Sequence, residues 1–217
     1  MCAVDKLVTS GDQAFMNLFG LRQQTPIGTR DEFHYPMRPR PIIRVEEHSG
    51  HYLSAANWGL VPFWAKDVTI GRSAFNARSD SIAENKPMFR AAFKYRRCLL
   101  IATSYIEYRT EEGKKVPYEF TVDGKMPYAY AGLWESWGED LGAFESCTMI
   151  TTEPNELAAR VHNRMPVILD QTDYDLWLDP KAERNDLLNL LIPFDARRME
   201  ANKTVIHRKK LASANNG

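Results

Sequence analysis

The chain has 217 residues, with 28 Lys and Arg against 28 Asp and Glu, so no overall basic field is available to draw in a polyanion. An apolar share of 44% is that of an ordinary globular chain, and three cysteines, Cys2, Cys98 and Cys147, are too few and too unevenly spaced for a disulfide framework or a Cys-x-x-Cys metal site. No window approaches the roughly 18 apolar residues of a membrane span and no basic-then-apolar leader opens the chain, so the expectation is a cytoplasmic, membrane-free protein with one domain over 1–217.

In chain order, Ala14, Phe15, Leu18 and Phe19 predict a short amphipathic helix over 12–21, ended by Gly20. The stretch from Pro26 to Pro41, with Arg30, His34, Arg38 and Arg40, reads as a long loop, either solvated or facing phosphates. Strands follow at Pro41–Val45 and His51–Leu60, the second running into Trp58-Gly59-Leu60-Val61-Pro62-Phe63-Trp64. Gly and Pro stop that strand and leave large aromatics on a turn, where a ring either caps a core, the commoner use for Trp58, or stacks on a base. Helical turns are predicted over 81–84 and 87–92, and then the basic residues Arg90, Lys94, Arg96 and Arg97 lead into a buried strand, Cys98–Ala102. A hairpin turn at Glu112-Gly113-Lys114 and a turn at Asp123-Gly124 separate further strands through Thr152, which predicts a mostly antiparallel meander. A helix start at 155–160, a polar turn at 161–166, a short strand at 167–169 and helices at 173–178 and 182–191 complete the chain, with a frayed tail over 203–217.

Four residues suggest chemistry. Removal of Met1 leaves Cys2 with an adjacent thiol and α-amine, which titrate near about 8.5 and about 8 and can close together on an aldehyde as a thiazolidine. Such a cysteine needs polar partners, and Asn76, Glu107 and His162 stand on three separate turns. Glu107, between Tyr105, Ile106 and Tyr108, is either a buried acid or base or a carboxylate paired with Arg109 or Arg97. His162 is either a general acid or a turn histidine in water, and Arg78 and Arg164 are candidate phosphate ligands. No cofactor or metal is expected: the five histidines have no paired ligand spacing and no glycine loop cradles phosphate.

Met1-Cys2, Trp58-Gly59-Leu60-Val61-Pro62-x-Trp64, Asn76-Ala77-Arg78-Ser79, Arg96-Arg97-Cys98-Leu99, Tyr105-Ile106-Glu107-Tyr108 and His162-x-Arg164-Met165-Pro166 occur in the order of one family. The chain resembles the SOS-response-associated peptidase (SRAP) family of abasic-site processing proteins from Cys2 to about Asp170. The resemblance implies a compact α+β fold around a barrel-like, mostly antiparallel sheet with flanking helices, and single-stranded DNA held in a positive groove by a monomer. It also implies that Cys2 crosslinks to the ring-opened aldehyde of an abasic site. Asn76 matches the asparagine that holds the cysteine, Glu107 the glutamate that assists proton transfer, and His162 the histidine that protonates the sugar oxygen and helps reverse the link. Arg78 and Arg164 match DNA-binding arginines, Trp64 lies in the loop that packs against bases, and Arg96 and Arg97 belong to the expected DNA-binding set.

The chain departs from the pattern in three places. Ala3-Val4 replaces Gly-Arg after the cysteine, Tyr35-Pro36-Met37-Arg38-Pro39 lacks the asparagine of Tyr-Asn-x-x-Pro, and the match thins beyond Arg198. Two other function classes compete with the crosslinker. One is a cysteine peptidase or self-processing hydrolase using Cys2 and His162, and the other a non-covalent binding module built on Arg78, Arg90, Arg96, Arg97 and Arg164.

Overall fold

The computed structural model describes residues 4–9, 13–21, 30–46, 50–138 and 144–206, so Cys2, Ala3 and the expected tail beyond 206 lie outside the described residues. The chain runs β1 (Val4–Thr9), α1 (Gln13–Leu18), β2 (Arg30–His34), β3 (Pro39–Glu46), β4 (Gly50–Trp58), β5 (Asn76–Arg78), α2 (Ser79–Ala83) and α3 (Pro87–Tyr95). It continues with β6 (Arg97–Ala102), β7 (Ser104–Glu111), β8 (Lys114–Val122), β9 (Tyr128–Trp137) and β10 (Phe144–Thr152). Short strands β11 (Met165–Pro166) and β12 (Ile168–Leu169), helices α4 (Tyr174–Leu178) and α5 (Arg184–Asn189), and β13 (Met199–Lys203) follow. Among the described residues no helix is long and apolar enough to cross a membrane.

Five strands close a barrel in the order β3-β4-β10-β9-β6 and back to β3. Every pairing is antiparallel except β4 with β10, and β5 adds to β10 in parallel further along it. A second, wholly antiparallel sheet has the order β2-β1-β7-β8-β13.

Side chains alternate across each barrel strand between two apolar clusters. Cys98, Leu100, Tyr130, Cys147 and Met149 join one, which also receives Tyr105 and Phe120 of the side sheet. Leu99, Ile101, Ala129, Ala131 and Ile150 join the other, under α1, α3, α4 and α5. Burial on both faces explains the unbroken apolar run Cys98–Ala102. Inside the barrel, a Cβ on Gly132 would sit 1.9 Å from Leu100 Cδ1, so any larger residue there would have to displace the Leu100 side chain.

Two expectations change. The central strands form no meander: β6 passes into the side sheet as β7, and β9 returns to pair with β6. The loop expected over 26–41 contains β2, whose edge position tolerates the polar sequence Arg-Asp-Glu-Phe-His. Its residues His34 and Arg40 are buried and so face neither solvent nor phosphate. At the start of the tail expected over 203–217, Lys203 pairs with Tyr118 and Thr204 donates to the Pro117 carbonyl at 3.0 Å.

Candidate active site and nucleic-acid interface

The N-terminal strand reaches the site through the side sheet. Val4 pairs with Ile106 and Asp5 with Tyr105, so β1 enters beside Glu107, which is 5% exposed. β1 is fixed by a buried charge cluster. Asp5 accepts from Arg40 and lies 2.8 Å from His34 Nδ1, and all three side chains are buried. Arg40 also donates to the Ile101 carbonyl at 3.0 Å and packs 5.0 Å from the Trp58 ring. Trp58 in turn donates its indole N–H to the Phe75 carbonyl at 2.7 Å. This series of contacts ties the strand that begins at Val4 to the backbone immediately before Asn76.

Asn76 opens β5 opposite Met149 and is 8% exposed. Two residues on, Arg78 points outward, 58% exposed, and is bound by Asp80 through three hydrogen bonds of 2.6–3.1 Å. Hydrogen bonds from Arg78 are the chief reason that the Asp80 carboxyl is held down at about 2, with Arg164 contributing its charge. Arg164 donates to the Thr151 carbonyl at 2.5 Å, and Thr151 is paired with Arg78. Burial, and then the neighbouring Arg78, lower the Arg164 pKa. The two arginines thus stand at one rim, beside a cleft of about 360 Å³ lined by Ser79, Asp80, Thr152, Glu153 and Arg164.

The loop after β10 holds His162 there. Asn155 Oδ1 accepts from the N–H groups of Leu157 and Ala158 at 3.2 and 2.8 Å, which starts the turn 158–160. His162 donates its backbone N–H to the Ala158 carbonyl at 2.9 Å, and its Nδ1 accepts from the Arg164 N–H at 3.1 Å. An accepting Nδ1 selects the neutral tautomer with the proton on Nε2. Phe75, Tyr105 and Val161, close in sequence to Asn76, Glu107 and His162, all pack on the same apolar cluster.

Of the remaining expected residues, Trp64 is half exposed and Phe63 more so, whereas Trp58 is wholly buried. Arg96 is paired with Glu135, at 2.7 Å through Nε and 2.9 Å through Nη2. Arg97, also of the expected DNA-binding set, is held inside the fold. Its guanidinium is buried and donates to the carbonyls of Phe93, Lys94, Trp177 and Asp179 at 2.5–2.9 Å, capping the C-termini of α3 and α4. Sequence reasoning missed Asp80, Thr151 and Glu135. Only Asp80 carries a local signal, two residues after its arginine.

The model of the SOS response associated peptidase family matches residues 1–207. The chain is 41% identical over 205 residues to the abasic site processing protein YoaM of Bacillus subtilis, covering 93% of this chain and 89% of that protein. It is 26% identical to the abasic site processing protein HMCES of Xenopus tropicalis, over 81% and 62% of the two chains. A crystal structure from Bacteroides thetaiotaomicron superposes with a TM-score of 0.80 at 28% identity, covering 93% and 91% of the two chains, and one from Bordetella bronchiseptica with 0.78 at 25%, covering 94% and all of that chain. The chain therefore belongs to the SOS response associated peptidase (SRAP) family.

Proposed function

We propose that this protein is an abasic-site processing enzyme that binds single-stranded DNA as a monomer and crosslinks to the lesion through Cys2 once Met1 is removed. The observation that carries the reading is the register of β1, which enters the side sheet next to buried Glu107. Val4 follows Cys2 by two residues, a stretch that spans at most about 7 Å, which supports assigning Cys2 to this carboxylate. Its α-amine adds to the ring-opened sugar aldehyde, and loss of one water gives the imine. The thiol sulfur then adds to the imine carbon and the proton passes to nitrogen, closing a neutral thiazolidine. Glu107 serves to move protons between the amine and the departing oxygen, Asn76 to hold the terminal backbone, and His162, after taking up a proton to become the imidazolium, to pass it to the sugar oxygen. Arg78 and Arg164 serve the phosphates, which position the strand without reading its sequence.

The test is incubation of mature protein with a single-stranded oligonucleotide carrying one abasic site. A heat-stable shifted band is expected, with a mass equal to protein plus DNA less one water. Loss of the band in Cys2→Ala is required. A band undiminished by that change, or no band with protein shown to lack Met1, overturns the proposal.

A further inference from the structure

The apolar pattern of β1 does not by itself fix where the strand lies along β7. Its inward positions are Asp5 and Leu7, both fully buried, while Val8 on the opposite face is 44% exposed. Sliding such a strand by one residue turns every side chain to the other face. In one direction Lys6, which reaches Asp31 at 2.9 Å, would enter the apolar site of Leu7, and burial of an unpaired cation opposes that. In the other direction Val8 would take the Leu7 site, an exchange of apolar residues that packing opposes only weakly. Charge closes this second route. Lys6 would then face buried Arg40, which donates to Asp5 and to the Ile101 carbonyl at 3.0 Å, and Asp5 would turn into the buried place of Val4 against Ile106. Two buried cations without a counter-ion are far costlier than the lost packing. His34 Nδ1, 2.8 Å from Asp5, holds the carboxylate from a second side.

We infer that Asp5 is a positioning residue: its pairing with Arg40 and His34 sets the register of β1 on β7, and through it the placement of Cys2, three residues upstream, against Glu107. A one-residue slip carries Cys2 about 3.4 Å along the strand and turns it to the other face. What the buried pair supplies is alignment, the role for which buried charges are best suited. The cluster also joins the two N-terminal segments at which the chain departs from its family, since Asp5 follows Ala3-Val4 and His34 and Arg40 bracket Tyr35–Pro39. The inference rests on the crosslinking reading above, and the test separates the two.

The experiment moves the acid one place along the strand in the double variant Asp5→Val, Lys6→Asp. Only the slipped register then gives Arg40 a carboxylate, with the introduced valine beside Ile106 and Val8 in the Leu7 site. At saturating single-stranded oligonucleotide carrying one abasic site, the plateau crosslinking rate of the mature variant should fall about a hundredfold, as expected of a misplaced reacting group. Affinity for the undamaged oligonucleotide should stay unchanged. Deleting Ala3 from the double variant draws Cys2 back by one residue and should restore most of the rate, whereas the same deletion in wild type should lower it. A loss caused by damage to the fold would not respond to that deletion. Backbone contacts read by NMR should place residue 5, in place of Val4, opposite Ile106 in both shifted proteins. If the double variant fails to fold, Asp5→Asn, which keeps the shape and removes the charge, should lower the plateau rate with affinity unchanged. A rate equal to wild type, a loss of affinity in step with the rate, or no recovery on deleting Ala3 overturns the inference and leaves the crosslinking reading intact. A wild-type protein that forms no crosslink overturns both.

Discussion

The interior and the rim of this molecule use the same side chain in opposite ways. Arg40 is enclosed by Asp5, the Ile101 carbonyl and the Trp58 ring, and Arg97 by four backbone carbonyls. Arg78 stands in water with one carboxylate for company, and Arg164 is anchored to β10 at the edge of a cleft. The interior guanidiniums have surrendered their hydration for fixed partners and cannot exchange them. At the rim, a phosphate oxygen can replace the Asp80 carboxylate at little cost, because both accept the same forked donor.

The largest effect should come from breaking the interior arrangement. Arg40→Ala leaves a buried Asp5 carboxylate without its cation and should cost about 3–5 kcal/mol of stability, read as a lower urea midpoint. The double variant Asp5→Leu, Arg40→Met should recover most of that loss, since an apolar pair of similar volume avoids the desolvation of both charges. A double variant no better than Arg40→Ala would show that the pair has no apolar equivalent here.

A second experiment sets rim against interior directly. Arg78→Gln and Arg164→Gln should each reduce the slope of log affinity for single-stranded DNA against log salt by about 0.7 while leaving the unfolding midpoint nearly unchanged. Arg97→Met should do the reverse, lowering the midpoint and leaving the slope alone.

The smallest effect concerns Asp80. Its carboxyl is depressed to about 2, so the stability it contributes is present above about pH 4 and lost as the pH falls through about 2. The difference in urea midpoint between wild type and Asp80→Asn should therefore be small at pH 6 and vanish below pH 2. Asp80→Asn should also bind DNA more tightly, with the gain shrinking as the screening length falls from about 10 Å at 0.1 M salt to about 3 Å at 1 M.

Much of the fold was legible wherever burial leaves a pattern in the chain. Cys98–Ala102 reads as a strand because both of its faces are covered, and Glu112-Gly113 reads as a hairpin turn because both residues take positive φ there. β2 was hidden because an edge strand can be polar throughout. Nothing local to Asp5 announces that Arg40 lies over it. Arg96 and Arg97 form one basic run in the sequence, yet Arg96 ends α3 and meets Glu135, whereas Arg97 opens β6 and turns under the helices. For the site, the residue types and their order carried the family motifs. The placement of Arg164 against Thr151, and of β1 beside Glu107, depends on pairings distant in sequence that no spacing encodes.

The barrel's closure has a kinetic consequence. Its one parallel seam joins Asn57 to Ser146, and β1, which pairs on one edge with nearby β2, completes its other edge only when Val4 meets Ile106. At synthesis rates of about 5–20 residues per second, β1 leaves the ribosome on the order of 5–20 seconds before β7 exists to receive it. Contacts this distant in the chain also make for slow refolding, since loop entropy is lost before any pairing compensates. The docking of β1 on β7 is thus a late step, and the Glu107 side of the site is assembled only when it occurs.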